Sequence, residues 1–595
     1  MSQSPEYTEV EKPLLDQLSG LDWKVIEGSK SDPAVTERDS FRGSILEDRL
    51  RAALLKINPG PDGNAWLDDS RLAEVVSSLT RAEVGKLVEL NERMTERLLE
   101  GVSVAGLPDW DQGRSQRVQF IDFENPANND FLAISQFRVD EPGGQAKKFV
   151  APDVVLFVNG IPLVVIECKS PYVTDPMAEG INQLRRYANQ RHLGLPEGNE
   201  QLFWTNQFVV STYGDKARVA TFTAGPEHFI EWKDPFPLIR DELASQLGKP
   251  AADLTGQELL TAGMLTPSNL LDIVRHFTLF TEVNGRRIKI VTRYQQYRAV
   301  GRALTRLKTG KTRGQDSESD RRGGLIWHTQ GSGKSLTMVF LVRAMRSDPV
   351  LRAFKVVVVT DRTDLEKQLS ETAKLSGEGV VRARRTSKLK TILAEKGPAL
   401  AFAMIQKYRD TDYADATVAH IAGDDANEAL GVLNTDETIV ILVDEAHRSQ
   451  TSTLHANLMA ALPNAAKIGF TGTPIMREGK TRTDAIFGPF IDKYTIRQAE
   501  HDGAVVPIFY EGRTAKGAVA GGSDLDELFE DMFAEHTTEE VEKLKARYAT
   551  TGAVLEAPKL IAAKAKSILW HYVSTVLPGG FKAQLSATSR LATVR

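Results

Sequence analysis

Two groups of residues in this sequence have side chains and spacings suited to phosphate chemistry. The first is Gly331-Ser332-Gly333-Lys334-Ser335, which follows the apolar run Leu325-Ile326-Trp327 and precedes Leu336 to Met345, a stretch with helical character. Strand, glycine loop, Lys-Ser and helix together make a phosphate cradle. Glycines let backbone N–H groups turn onto phosphate oxygens, which also lie at the positive end of the helix. Lys334 is placed to reach the β- and γ-phosphates of a nucleotide, and Ser335 to offer its hydroxyl to Mg2+. The usual pattern opens on glycine where this chain has His328; the strand–loop–helix context is the stronger test.

A partner for that loop lies downstream. The β-branched run Thr438 to Val443 ends in Asp444-Glu445-Ala446-His447, far enough along to leave room for several βα units of one parallel sheet. At a strand end Asp444 can hold Mg2+ through its water shell, and Glu445 can polarise the attacking water. His447 closes this run and is taken with it as part of the nucleotide site.

The second group is Asp153, Glu167 and Lys169, the polar exceptions in the apolar stretch Pro152 to Lys169, which turns at Asn159-Gly160. The pattern reads as a hairpin. Glu167 and Lys169 are two apart and share a face, while Cys168 points the other way. Two carboxylates and a lysine converging at a strand end can bind Mg2+ and activate water for phosphodiester cleavage. Both carboxylates reach one face only if the register is odd. A plain two-residue turn would set Asp153 against Ile166, on the wrong face. The expectation is therefore a three-residue loop, Val158 to Gly160, with a bulge, which sets Asp153 against Val165, or another odd-length connection. Gln183 and Tyr187 follow on an expected helix and, four apart, face the same way.

The elements that must position these groups can be sketched from the rest of the chain. A length of 595 residues allows roughly three or four domains. With 41% hydrophobic and 26% charged residues the chain has the composition of a globular protein. A net charge of −5 means that any nucleic-acid surface must be local. One cysteine excludes an internal disulfide framework and thiolate metal clusters, and fits a reducing cytoplasm. No apolar run approaches the roughly 18 residues of a membrane span, so no membrane partner is expected. Helices are expected near residues 7–18, 41–57 and 68–100, and a polar loop at 309–322.

Asp153…Glu167-Cys168-Lys169 followed by Gln183 and Tyr187 resembles the PD-(D/E)xK nuclease signature of the RecB-like kind. With a DEAH-bearing helicase-type ATPase after it, the order is similar to the restriction (R) subunit of Type I restriction-modification enzymes. The resemblance covers nearly the whole chain. It implies an α/β architecture: a nuclease domain over 1–260, a RecA-like parallel-sheet motor lobe over 261–500, and an incomplete second RecA-like lobe over 501–595. It also implies Asp153 and Glu167 as metal ligands, Lys169 beside water or the scissile phosphate, and Gln183 and Tyr187 in support. Either Glu9 or Glu11 supplies the family's upstream glutamate. In superfamily 2 motors a glutamine reads adenine, here Gln296 or Gln295, and Thr471 and Thr473 link hydrolysis to the DNA track. Arg362, the basic run Val381 to Lys390, and Gln406 to Tyr408 would face DNA. Phe581 to Arg590 resembles the first strand of the second lobe, and the chain is expected to be a C-terminally truncated piece. The implied function is ATP-dependent translocation on double-stranded DNA with Mg2+-dependent cutting of unmodified DNA, alongside methyltransferase (M) and specificity (S) subunits. The rivals are a recombination or repair helicase-nuclease and a silent ATP- or DNA-binding fragment.

Overall fold

Runs of Val, Ile, Leu and Phe that are apolar at every position become strands covered on both faces, and two such sheets organise the chain. The computed structural model describes residues 4–81, 84–141, 148–191, 196–360, 365, 368–370, 380–383, 386–404, 431–446, 458–475, 482–507, 558–587, 589 and 593–594. By contact the chain divides into two units, Met1–Val506 and Pro507–Arg595.

The first sheet has seven strands in the order β1 (Lys24–Glu27), β4 (Phe131–Ser135), β7 (Val154–Val158), β8 (Ile161–Cys168), β9 (Phe208–Thr212), β10 (Ala217–Ala220) and β11 (Ile230–Glu231). The pairs β1–β4 and β8–β9 are parallel and the others antiparallel. Two small ribbons, β2 with β3 (Val102–Val104, Gln116–Val118) and β5 with β6 (Val139–Asp140, Phe149–Val150), lie outside it. Val154, Leu156, Ile166 and Val210 share a core with helices α1 (Lys12–Gly20), α2 (Glu47–Ile57), α3 (Asp69–Thr80) and α4 (Leu87–Glu100). Val155, Val165 and Val209 face the opposite way, against α5 (Pro176–Tyr187). The helix expected over 68–100 is thus two helices, interrupted between Thr80 and Leu87.

The hairpin register corrects one expectation. Asn159 and Gly160 both have positive φ, 53° and 76°, the requirement of a two-residue type I′ turn, and Val158 pairs with Ile161. No three-residue loop forms. The odd residue is Leu163 instead: Phe157 pairs with Pro162 and Leu156 with Val164, so a bulge shifts the register by one. Val154 then pairs with Ile166, which sets Asp153 opposite Glu167 rather than Val165.

Beyond β11 come α6 (Arg240–Leu247), α7 (Gly256–Met264), α8 (Pro267–His276) and the ribbon of β12 (Thr278–Val283) with β13 (Arg286–Val291). A boundary at 260 cuts α7, whose Gln257 donates to the Val10 carbonyl and accepts from Thr212 Oγ1. The Trp23 indole donates to the Leu265 carbonyl at 2.8 Å. The chain therefore stays on the first sheet past that point.

After α9 (Tyr294–Thr309) and the short α10 (Arg313–Asp316), which interrupts the expected loop, the second sheet begins. It has seven strands: β14 (Gly324–His328), β15 (Lys355–Thr360), β16 (Val380–Ala383), β17 (Ala399–Met404), β18 (Ile439–Val443), β19 (Ala466–Thr471) and β20 (Phe490–Tyr494). Their spatial order is β16-β17-β15-β18-β19-β14-β20, and every neighbouring pair is parallel. Helix α11 (Lys334–Ser347) follows β14.

In the second unit, helix Pro558–His571 runs on through a π-helical turn, Tyr572–Val576. Residues 581–587, expected as a strand, are irregular, and Phe581 and Leu585 are exposed. A strand needs a neighbour for its backbone N–H and C=O groups; among the described residues none pairs there.

Candidate functional site

On the first sheet the Leu163 bulge and the paired register bring the acidic set together. Asp153 Oδ2 accepts the Cys168 N–H at 2.8 Å, and Asp153 Oδ1 accepts from Gln136 Nε2 at 3.1 Å. Lys169 Nζ is 2.6 Å from Glu167 Oε1 and 3.9 Å from Asp153 Oδ2. Glu167 is wholly buried and its Oε2 has no hydrogen-bond partner. On α5, Gln183 Nε2 donates to the buried Tyr187 hydroxyl at 2.5 Å. Burial, and then the Glu167 charge, push the Tyr187 phenol upward.

Of the two upstream glutamates, Glu11 joins this set: its Oε2 accepts from Gln136 Nε2 at 3.2 Å, and its Oε1 is buried without a partner. Glu9 is exposed and accepts from the Tyr172 hydroxyl. Glu6, which the sequence reading missed, lies 4.0 Å from Lys169 Nζ and accepts the Ser170 N–H. The stretch Tyr7–Glu11 is wound as a π-helical turn, which brings residues five apart toward the same side. That spacing gives no signal to a 3.6-residue pattern search.

Four acids against one ammonium leave this patch short of positive charge. Burial and then Asp153 hold the Glu11 carboxyl up at about 8. The same two causes hold Glu167 well above the ordinary glutamate range, and burial raises Glu6. For Lys169 burial opposes the charge, but Glu167 and Asp153 outweigh it and the ammonium is held upward. Among the described residues no three His, Cys, Asp or Glu side chains form a ready-made metal cage. Mg2+ needs no such cage, since it keeps several waters and takes one or two carboxylates plus substrate oxygens. Partnerless Glu167 Oε2 and Glu11 Oε1, on acids whose raised pKa values show how little positive charge faces them, fit such an ion.

On the second sheet the strand order does the gathering. β18, β19 and β14 are neighbours though far apart in sequence, so their C-terminal ends put Asp444, Thr471 and the glycine loop at one edge. That edge is where ligands of open parallel sheets bind. Gly331 and Gly333 have φ of 81° and 84°, conformations that favour glycine. Ser332 Oγ donates to the Thr329 carbonyl at 2.6 Å, and Lys334 is buried with Nζ 3.5 Å from the same oxygen. Ser335 follows in the first turn of α11. Asp444 is buried and accepts the Glu445 N–H at 2.9 Å; Glu445 has a φ of +46°, a strained value for a residue with a Cβ. Thr471 Oγ1 accepts the Thr473 N–H at 3.1 Å, and a Cβ on Gly472 would lie 3.3 Å from Lys334 Nζ. The Thr471–Thr473 turn thus abuts the phosphate loop.

Gln296 is buried with both ends of its amide engaged. Nε2 donates to the Gly333 carbonyl at 3.1 Å, and Oε1 accepts the Arg293 N–H at 2.9 Å. Its neighbour Gln295 is buried with Nε2 unpartnered. His328, standing where glycine is usual, is not in the left-handed region, so no glycine is required there. It is wholly buried with Nε2 2.9 Å from Asp492 Oδ2 and Nδ1 without a hydrogen-bond partner, and burial lowers its pKa. Arg298 clamps Asp492 at 2.8 and 3.0 Å and also reaches Asp234. His447, Arg362, much of the basic run Val381 to Lys390 and Gln406 to Tyr408 lie outside the described residues or side chains.

Comparison with known proteins bears on both sheets. Residues 3–228 match the family model for the Type I restriction enzyme R protein N terminus, and residues 295–542 the SWI2/SNF2 ATPase model. The Type I restriction enzyme HindI endonuclease subunit of Haemophilus influenzae is 32% identical over 571 residues, covering 92% of this chain and 49% of that protein. The MjaIXP chain of Methanocaldococcus jannaschii is 28% identical across 98% of this chain and 54% of its own length. The chain thus spans about half the length of the curated relatives it matches.

Proposed function

Because this chain belongs to the R-protein family of Type I restriction enzymes, we propose that it carries both working centres of such a subunit: an ATP-driven motor site and a Mg2+-dependent endonuclease. Its substrate is double-stranded DNA, its partners are methyltransferase (M) and specificity (S) subunits, and it acts in the cytoplasm. The nuclease module comprises residues 1–260 with α7, α8 and the β12–β13 ribbon packed on it. The motor lobe starts at α9, and residues from 501 onward begin a second lobe.

The observation that carries the reading is the convergence of Asp153, Glu167 and Lys169 on one sheet face beside Glu11. Asp153 and Glu167 would hold Mg2+, which when bound supplies positive charge to the attacking water and the scissile phosphate. Lys169, kept protonated by its acidic neighbours, directs its ammonium to the phosphate or the water. Gln183 and Tyr187 steady the α5 wall of the site. In the motor lobe Lys334 and the loop N–H groups take the triphosphate, with Ser335 and Asp444 on the Mg2+ side. Glu445 orients the attacking water. Gln296, tied to the loop through the Gly333 carbonyl, or its neighbour Gln295 reads adenine. Thr471 and Thr473 sense the loop from the DNA side.

The test is a pair of activities on the purified chain. Lys334→Ala removes DNA-stimulated phosphate release by about 100-fold or more, and Lys169→Ala removes Mg2+-dependent plasmid nicking. If neither variant differs from wild type, the chain is a silent binding fragment.

A further inference from the structure

The register of the first sheet extends the acidic pair into a longer polar row. Ser135 pairs with Val154, and Val154 with Ile166, so the next positions along, Gln136, Asp153 and Glu167, stand side by side. Glu167 in turn pairs with Ser211 on β9. Residues opposed on neighbouring strands project to the same face. Two positions back, Ile134, Val155, Val165 and Val209 all belong to the core beneath α5. Glu167 and Ser211 on β8 and β9, with Asp153 and Gln136 just past the ends of β7 and β4 and hydrogen-bonded to each other, therefore make one polar line.

Each end of the row is unusual. Gln136 has a φ of +50°, uncommon for a side chain with a Cβ, and its N–H donates to the Asp153 carbonyl at 2.8 Å. That pose lets one amide nitrogen span Asp153 Oδ1 and Glu11 Oε2, at 3.1 and 3.2 Å. At the other end Ser211 is 0% exposed, and its hydroxyl has no hydrogen-bond partner. Its opposed neighbour Glu167 likewise has Oε2 unpartnered. A buried hydroxyl without a partner costs folding free energy and calls for an explanation. Helix α5 comes so close at Gly180 that a Cβ there would strike Ser211 Oγ and touch Lys169 Cγ, which keeps the hydroxyl against the acidic set.

We propose that Gln136 and Ser211 are the positioning residues at the two ends of the cutting centre. Gln136 orients Asp153 and ties it to Glu11, while Ser211 supplies a hydroxyl on the Glu167 side for the water shell of the bound cation. This rests on reading the acidic set as a Mg2+ centre. Removing such an outer partner lowers metal affinity by about 10- to 100-fold.

The experiment titrates Mn2+ into the nucleotide-free full chain by calorimetry, and records the melting temperature and the Mg2+ dependence of plasmid nicking. The variants are Gln136→Ala, Gln136→Glu, Ser211→Ala and Asp153→Ala. Expected are loss of Mn2+ binding in Asp153→Ala and at least about 10-fold weaker binding in Gln136→Ala and Ser211→Ala. The Mg2+ concentration for half-maximal nicking should rise by the same factor. Ser211→Ala should melt at or above the wild-type temperature, because it deletes an unpaired buried hydroxyl. A lower melting temperature with unchanged Mn2+ affinity would assign Ser211 a packing role and overturn the proposal. Wild-type Mn2+ binding in the Gln136 and Ser211 variants, with Asp153→Ala still defective, overturns it too and leaves the nuclease reading standing. Mn2+ binding unaffected by Asp153→Ala sinks both. If Gln136→Ala does not fold, Gln136→Glu and Ser211→Ala decide.

Discussion

The acidic set on the first sheet and the phosphate loop on the second are both suited to Mg2+ and phosphate, yet they are built in opposite ways. The acidic set joins one hairpin to the distant N-terminal turn, and it packs acid against acid. Four carboxylates face one ammonium, and two buried carboxylate oxygens lack partners. The phosphate loop is assembled from strand ends distant in sequence, and its charges are largely satisfied. Behind it Asp492 is paired with Arg298 and with His328 Nε2 in one buried network. The difference separates two ways of preparing a site. One stores electrostatic strain that a cation relieves; the other fixes a backbone shape that a triphosphate fills.

The largest way to break this contrast is to unpair the network behind the loop. Asp492→Ala leaves the buried Arg298 without its clamp and should cost about 3–5 kcal/mol of stability, read as a urea midpoint. A variant as stable as wild type would mean that the phosphate loop needs no such support. Next, Gly180→Ala pushes a methyl group into Ser211 and Lys169. The expected cost is about 1–3 kcal/mol together with weaker nicking, by melting temperature and plasmid assay. Gly333→Ala places a Cβ at a φ of +84° and against Gln296 Nε2. Its strain of roughly 1–2 kcal/mol should weaken ATP binding about 10-fold, with Mn2+ binding by the nucleotide-free chain unchanged.

The smallest effect is a pH slope. Glu11 is held up at about 8 from an ordinary 4.5, so between those values the folded chain keeps a proton that the unfolded chain has released. Stability must then fall as pH rises through that window. Urea midpoints without divalent ions should show the fall, and Glu11→Gln should flatten it. An equal slope in both proteins would place the titration elsewhere.

How much of this was legible from sequence follows the same divide. Asn159-Gly160 announced the hairpin, and the need for Asp153 and Glu167 on one face demanded an odd register. The bulge that supplies it sits at Leu163, a position that tertiary packing selects and turn chemistry does not. Glu11 could not be chosen over Glu9, nor Glu6 noticed, because the turn carrying them is π-helical. Ser211 looked like any small residue in a strand until its pairing with Glu167 was known. On the second sheet each motif was legible by itself, but their meeting depends on a strand order that no local pattern encodes. The segment after Phe581 shows the opposite error. Its residues resemble a strand motif, but a strand exists only by pairing, and among the described residues no strand lies beside 581–587.

The central claim is that two independent Mg2+-dependent centres share this polypeptide, and one comparison tests it most directly. Plasmid nicking and ATP binding are measured together, in Mg2+, for wild type and Asp153→Ala. The account predicts that nicking disappears while ATP affinity stays within about two-fold of wild type, since the centres are separate and additive. Nicking that survives the substitution, or ATP affinity that falls with it, would contradict it.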